Sequence, residues 1–429
     1  MNKKAYFVGI KGVGMTALAL AMQDAGWTVE GSDTNESFIT DDVLVKRLIN
    51  VNLLTDPVPE TVDLIVYSAA YPAPETGSKS LSLAEALAEF VKDRQVMAVA
   101  GVGGKTTTSA MLAALFHAVG RDVGYYVGTS TIAGLDAPGS NGQDPWYVVE
   151  ADEYAISKTD KRPKFALLNP QIVITTNIVH DHPDIYPDES ATLSAFTDLV
   201  KRIPESGTWI ACNSDALTQK ILSSEKLQCK VVTYNQMHPL FKELRLSVFG
   251  DQNRLDAVAA VLAAVASGIS QTDALRGIKA YQGAGRRQES HGEVQGRLLY
   301  DDYGHHPREI ELTVKAFKEH FPGHKLILVF ESHTYTRTEA LLSEFAKAIA
   351  LADIPVIMPI FESAREKGQI HSITPDSFRA EVAKHNSQAI AVTWEDAAKQ
   401  VWEESHSGDI ILTMGAGFVY KLHEEFKLK

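Results

Sequence analysis

The chain has few cysteines, a deficit of positive charge and no long apolar run, and each absence excludes something. Only Cys212 and Cys229 are present among 429 residues. With no second pair of metal-ligating residues at their spacing, neither a disulfide framework nor a zinc site is indicated, and a reduced, cytoplasmic compartment is expected. Lys and Arg number 41 against 54 Asp and Glu, a net charge of −13, and no basic stretch offsets it. Nucleic acid is therefore not expected as a main partner. Nucleotides need only a few local cations and remain open. No apolar run reaches the roughly 18 residues needed to cross a membrane, so no membrane partner is expected. The apolar residues 5–9 lead into glycines and read as a strand, not as a signal segment. There is no internal repeat and no low-complexity tract.

What is present is ordinary for a globular α/β protein: 45% apolar and 22% charged residues over a length that suggests two to four domains. Three segments each open with strand–helix alternation. The first has strands at 5–9, 27–31 and 64–68 and a helix at 15–25, a small Rossmann-like unit assigned to 1–92. The second has strands at 96–100, 147–149, 165–168, 173–176 and 208–211 and a helix at 257–267, a larger doubly wound domain assigned to 93–293. The third has strands at 297–300, 325–330, 354–358, 389–392 and 409–413 with helices at 310–320, 339–351, 375–385 and 394–402, again Rossmann-like, assigned to 294–429.

Residues 96–108 carry the strongest signal. An apolar strand enters Gly101-Val-Gly-Gly104-Lys105-Thr106-Thr107-Thr108 and a helix follows. Glycines let backbone N–H groups approach an anion, and the helix N-terminus adds positive potential. Lys105 can reach terminal phosphates and the Thr106 hydroxyl can ligate Mg²⁺. Val99 stands where the strict spacing wants glycine, so the loop is a shortened variant. Glu150-Ala-Asp152-Glu153 follows another strand and supplies carboxylates where open α/β sheets bind ligands. Asn177-Ile-Val-His180-Asp181-His182 does the same after a third strand.

The N-terminal turn Gly9-Ile-Lys-Gly12-Val-Gly14, with Asp33 ending the next strand, suggests a pyrophosphate or ribose ligand, either NAD or a UDP-sugar. Arg286-Arg287, on a glycine-bearing turn, suits phosphate contact. Residues 300–307 (Tyr-Asp-Asp-Tyr-Gly-His-His-Pro), His333-Thr-Tyr-Thr-Arg337 and Met414-Gly415-Ala-Gly417 each follow a strand of the third segment, which argues for one crevice.

Together these motifs resemble the Mur ligases, the ATP-dependent enzymes that build the peptide stem of peptidoglycan. The similarity runs through 9–15, 31–33, 68–70, 104–108, 150–153, Asn177 with Asp181-His182, Arg286-Arg287 and 301–307, in family order. It implies a UDP-binding domain, an ATPase domain and a C-terminal Rossmann-like domain. The implied cofactors are ATP and Mg²⁺. The implied partners are UDP-N-acetylmuramate and an amino acid or short peptide, and a monomer or weak homodimer is expected.

Roles transfer by position. Gly101, Gly104, Lys105, Thr106 and Thr107 would hold the nucleotide phosphates, and Thr106, Glu150 and His182 the metal. Asn253 would contact adenine, Asp302 and Tyr303 the ribose, and Arg286 or Arg287 phosphate. Gly12, Gly14, Met15, Ser32, Asp33 and Ser68 would bind the UDP-sugar. His305, His333 and Arg337 would face the acceptor. The residues 335–338 and 301–307 are most similar to members that add L-alanine. Glu153-Tyr154, 160–165 and 182–187 are similar to members that recycle a murein tripeptide. The chain departs from the alanine-adding pattern at Lys11, Gly103, Asp256 and Thr334.

Overall fold

The computed structural model describes residues 3–157, 159–180, 185–224, 226–362, 366 and 371–429. Apolar runs become central strands of three largely parallel sheets, because a strand covered on both faces needs no polar alternation. The first sheet domain comprises β1 (Lys4–Val8), α1 (Val13–Asp24), β2 (Thr28–Asp33), α2 (Asp41–Lys46), β3 (Asn50–Leu53), β4 (Leu64–Tyr67), β5 (Ser80–Ser82) and α3 (Leu83–Val91). Its order is β3-β2-β1-β4-β5, and every pairing is parallel. The turn after central β1 therefore lies between the ends of β2 and β4. Ser82 starts α3 with a reciprocal capping box to Glu85.

The second domain comprises β6 (Gln95–Ala100), α4 (Lys105–Ala118), β7 (Gly124–Tyr126), β8 (Gly139–Ser140), β9 (Trp146–Glu150), β10 (Pro170–Thr175), α5 (Glu189–Lys201), β11 (Thr208–Cys212), α6 (Ala216–Ser224), β12 (Lys230–Tyr234), α7 (Pro239–Glu243), α8 (Asp251–Ala266) and α9 (Gln271–Gly277). Its order is β12-β11-β10-β6-β9-β7-β8. Central β6 is flanked by β10 and β9 in parallel register, with Val99 opposite Glu150 and Ala100 opposite Thr175. Helix α4 is buried from Thr106 to Phe116 and α8 from Asp256 to Val261, so their small alanines serve close packing on all sides.

The third domain comprises β13 (Glu289–Val294), β14 (Arg297–Asp302), α10 (Pro307–His320), β15 (Leu326–Phe330), α11 (Tyr335–Ala340), α12 (Leu342–Ile349), β16 (Ile354–Ile357), α13 (Pro375–Ala383), β17 (Ile390–Ala391), α14 (Trp394–Glu404), β18 (Ile410–Met414) and α15 (Leu422–Phe426). Its order is β13-β14-β18-β15-β16-β17, with β13 antiparallel to β14. The carboxyl ends of β14, β18 and β15 are thus adjacent.

By internal contacts the chain forms two compact units. Met1–Ser247 with Asn253–Gly285 holds the first two sheets, and Val248–Gln252 with Arg286–Lys429 holds the third. Within the first unit, α1 packs on β8 so closely that a Cβ at Gly139 would strike the Ala17 carbonyl. One apolar cluster, including Phe7, Met15, Leu18, Ala98 and Trp209, runs through both sheets. Phe249 anchors the short segment 248–252 to the second unit. Its ring lies edge-on to Phe317 at 4.9 Å and stacks on His320 at 4.3 Å.

Several sequence expectations are corrected here. Residues 165–168 are not a strand: Lys164–Leu167 form a 3-10 turn. Pro163 caps this turn, and the ladder strand starts only at Pro170. The single helix expected over 339–351 is two, α11 and α12, broken at Leu341 (φ −116°). The third sheet starts at Glu289, inside the span assigned to the central domain. The polar strand Glu-Ser-His-Gly-Glu-Val carries no apolar periodicity and is visible only through its pairing with β14.

Candidate active site

The glycine turn after β6 is built by its neighbours. Asn177, just past β10, accepts at Oδ1 from the Val102 N–H (3.0 Å) and the Gly103 N–H (3.2 Å), and its Nδ2 donates to the Gly103 carbonyl (2.9 Å). Thr176 Oγ1 donates to the same carbonyl at 2.5 Å. Gly101 (φ +133°) has no room for a side chain, since a Cβ would lie 2.7 Å from the Asn177 carbonyl oxygen. Gly104 (φ +86°) is the left-handed N-cap of α4, and a Cβ there would lie 2.6 Å from the buried Asp256 carboxylate. Both positions need glycine for conformation and for space.

Lys105 opens α4 with its ammonium turned inward. Its Nζ donates to the Gly101 carbonyl (2.6 Å) and the Val102 carbonyl (3.3 Å), and it pairs with Glu153 at 2.8 Å. Burial pulls its pKa down, but Glu153, Asp152 and Glu150 outweigh that and hold it above the ordinary lysine value. Thr106 Oγ1 donates to Glu150 Oε1 at 2.8 Å, while Glu150 Oε2 accepts from the Gly128 N–H at 2.7 Å. This hydroxyl–carboxylate pair at the mouth of the loop is a donor set suited to a hard divalent cation. Thr107 is buried in the first turn of α4. His182 lies outside the described residues, and Asn253 sits in the first turns of α8.

A narrow crevice in the same unit is lined by Leu83, Leu87, Tyr126, Glu150, Asp152 and Lys164. Lys164 pairs with Asp152 at 3.0 Å. Tyr126 brings this crevice to the N-terminal turn, because its hydroxyl occupies the space a Cβ on Gly14 would need. Tyr126 also titrates well above the ordinary tyrosine range, mainly through burial.

At the N-terminal turn the residues expected on the UDP-sugar have structural partners. Asp33 accepts from the Lys11 N–H (2.7 Å) and the Thr34 N–H (2.8 Å). Burial raises its pKa, against the pull of those two N–H groups. Gly9 (φ +86°) lies against Ser68 and Tyr71, where a Cβ would be 3.0 and 2.7 Å away. Gly12 caps α1 at an ordinary φ of −61°, Met15 is buried in α1 and Ser32 in β2.

In the second unit, three strand ends lie side by side. Asp302 accepts from the Gln288 N–H (3.0 Å) and the Gly304 N–H (2.8 Å), and burial lifts its pKa to about 6. Tyr303 and His305 follow, with ring centroids 5.4 Å apart. His305 lies 6.3 Å from His333, which stacks on Phe361 at 5.0 Å. Burial drops the His305 pKa to about 4, with Glu309 opposing and Arg337 and His333 adding to the fall. His305 and His333 thus lie close together, and the Arg337 charge acts on His305. Arg337 lies in α11, whose first N–H groups, of Tyr335 and Thr336, donate to the buried Glu366 carboxylate at 3.1 and 3.0 Å. Thr334 precedes it at φ +73°, a strained value for a β-branched residue.

Arg286 differs from expectation. Its guanidinium is buried and donates to Asp301 (2.7 Å), the Gly415 carbonyl (2.6 Å) and the Gly417 carbonyl (3.1 Å). It ties β14 to the turn after β18, and both arginines lie over the Tyr303 ring, Arg286 at 5.3 Å and Arg287 at 5.1 Å. Glu289, His291 and Asp301 bring ligand atoms within 4.8 Å of one another. The Arg286 guanidinium already supplies the positive charge there, so this is an ion-pair core and not a metal centre. Glu366 and Glu331 escaped the sequence reading. Glu366 acts on Thr336, 30 positions earlier, and follows no strand. Glu331 directly follows the apolar β15, and its partner, the Val419 N–H, lies 88 positions later.

Comparison with known proteins agrees with the motif order. Residues 4–95 match the Mur ligase family catalytic domain, 99–259 the Mur ligase middle domain and 286–417 the Mur ligase glutamate ligase domain. The UDP-N-acetylmuramate–L-alanine ligase of Desulfitobacterium hafniense is 31% identical over 97% of this chain and 98% of its own. That of Acetivibrio thermocellus is 33% identical over 99% and 95%. Among solved structures, the UDP-N-acetylmuramate-alanine ligase of Thermotoga maritima aligns with TM-score 0.77 at 21% identity, covering 99% of this chain and 98% of that one. The murein peptide ligase of Psychrobacter arcticus aligns with TM-score 0.73 at 23% identity, with the same coverage. No helix among the described residues is long and apolar enough to cross a membrane. Through its three domains and its full-length relatives, the chain belongs to the Mur ligase family of ATP-dependent ligases.

Proposed function

We propose that the protein joins L-alanine to UDP-N-acetylmuramate, cleaving ATP to ADP and phosphate in the cytoplasm. The observation that carries this is the loop after β6, with Lys105, Thr106 and Glu150 converging on a turn shaped by Asn177. A carboxylate oxygen of the sugar attacks the γ-phosphorus and ADP leaves. The alanine nitrogen then attacks the acyl carbon and phosphate leaves. Lys105 and the helix N-terminus of α4 neutralise charge that builds on the transferred phosphoryl group. Mg²⁺ held by Thr106 and Glu150 would add electrostatic stabilisation of the phosphate oxygens, and those two oxygens fit it.

The first domain holds the nucleotide-sugar through the turn after β1. Asp302, Tyr303 and Arg287 serve the nucleotide, and His305, His333 and Arg337 serve the acceptor. His305 is neutral at pH 7, since its pKa is near 4. Its Nδ1 lies 3.3 Å from the Tyr303 carbonyl, so a proton there leaves Nε2 as the acceptor toward the amine.

One observation favours a second acceptor, the tripeptide L-Ala-γ-D-Glu-diaminopimelate. Lys164 bridges Asp152 and the Tyr154 ring (5.6 Å) in the segment similar to the recycling members. Phosphate release with ATP, Mg²⁺ and UDP-N-acetylmuramate decides between them. Dependence on L-alanine is expected. Release only with the tripeptide would reassign the acceptor, and release with neither would remove the ligase reading.

A further inference from the structure

Lys105 is the residue proposed to meet phosphate, yet its donors are already engaged. An ammonium has three N–H bonds. Here they face the Gly101 carbonyl at 2.6 Å, the Val102 carbonyl at 3.3 Å and the Glu153 carboxylate at 2.8 Å. The Lys105 side chain is 11% exposed and that of Glu153 3%, so the pair is screened little by water. Glu153 is itself held from behind, because the Tyr186 hydroxyl donates to its backbone carbonyl at 2.8 Å. The two carbonyl partners belong to the loop and move with it. Glu153 comes from the turn after β9, and its carboxylate is chemically the partner that most resembles a phosphate oxygen.

We propose that Glu153 is a positioning residue that sets triphosphate affinity: a phosphate oxygen binds Lys105 only by taking the place of the Glu153 carboxylate. This rests on the ATP reading of the loop. Glu153 holds the ammonium charged and aimed along the loop, and it competes with the ligand for it. Asn177 acts in parallel on the backbone, with its Oδ1 on the Val102 and Gly103 N–H groups. The same exchange makes affinity depend on phosphate charge and leaves the nucleoside portion indifferent to Glu153.

Calorimetry with the full chain tests it, using the non-hydrolysable triphosphate AMP-PNP with Mg²⁺ and, separately, adenosine. Glu153→Gln should bind AMP-PNP about tenfold more tightly, the size of one charge-assisted hydrogen bond that no longer has to be given up. Its adenosine affinity should equal that of the unmodified protein. In a Lys105→Ala background, Glu153→Gln should leave AMP-PNP affinity unchanged, because the competition runs through Lys105. Equal or weaker AMP-PNP binding in Glu153→Gln overturns the proposal, as does the same tightening without Lys105. Should Glu153→Gln not fold, Glu153→Asp, which withdraws the carboxylate by one methylene, should show a smaller tightening, and no tightening overturns the proposal equally. An unmodified protein that binds neither probe would remove the ATP reading itself, a result separable from tight binding that ignores Glu153.

Discussion

Two glycine turns in this chain follow the same plan and end up with opposite chemistry. Each leaves the central strand of a parallel sheet, opens a helix, contains a lysine and is flanked by a carboxylate from a neighbouring strand. In the first, Asp33 holds the turn's own Lys11 N–H, and the Lys11 ammonium turns to Asp41 at 3.3 Å and the Glu36 carbonyl at 2.8 Å. In the second, the backbone N–H groups are held by a neutral amide, Asn177, and the carboxylates face Lys105 and Thr106. The first turn is closed by a charge on its backbone. The second keeps its lysine, hydroxyl and carboxylates together at one mouth. A glycine pattern says that backbone can approach a ligand, while the flanking side chains decide whether phosphate chemistry can occur there.

The largest expected effect breaks the pair apart at the lysines. Lys105→Ala should lower ATP-dependent turnover by about a thousandfold and leave UDP-N-acetylmuramate binding intact. Lys11→Ala should leave turnover within about threefold, because its ammonium is engaged by Asp41 and the Glu36 carbonyl within its own domain. Equal losses, read by phosphate release and calorimetry, would erase the distinction.

The glycines come next. Gly104→Ala meets a left-handed φ and the Asp256 carboxylate, so it should weaken AMP-PNP binding by at least about tenfold and lower the melting temperature. At Gly12, φ is −61° and the nearest contact of a Cβ is 3.6 Å, so Gly12→Ala should shift melting by no more than about 2 °C.

Asp33→Asn keeps the shape but loses the charge on the Lys11 and Thr34 N–H groups. It should weaken UDP-N-acetylmuramate about tenfold while AMP-PNP affinity stays unchanged. A parallel loss of both would mean that the turns do not divide the labour.

A third strand-end turn serves as a control for both. Glu331 is buried, accepts from the Val419 N–H at 2.8 Å and has its pKa raised by burial to about 7. A carboxyl raised on folding keeps its proton longer in the native state than in the unfolded chain. Native stability therefore falls as pH rises from about 4.5 to about 7. Relative to the unmodified protein, Glu331→Gln should gain up to about 3 kcal/mol between pH 5 and pH 8 in denaturant titrations. His305, with a pKa lowered to about 4, runs the other way, losing native stability as pH falls from about 6.5 to about 4. A pH-independent difference would show that Glu331 is not protonated in the native fold.

The parallel cores were legible because strands such as Leu326–Phe330 are continuously apolar and buried. The loop at 101–106 was legible because strand, glycines, lysine, threonine and helix are consecutive. Strands β12 and β13 were not, since their pairing partners compensate for weak apolar patterning. The pair Arg286-Arg287 stayed undivided in the sequence for a related reason. Two adjacent arginines look alike in sequence, and only the carbonyls of Gly415 and Gly417, more than a hundred residues later, separate the buried one from its neighbour.

By itself the sequence determined the strand-ending motifs, their order and hence the family, because those features are local and consecutive. The tertiary structure alone decided how each charged side chain is used. It placed Lys105 on Glu153, Asp33 on a backbone N–H, Glu366 on the start of α11 and Arg286 in a core. Burial strengthens such electrostatic choices, and partners distant in the chain make them.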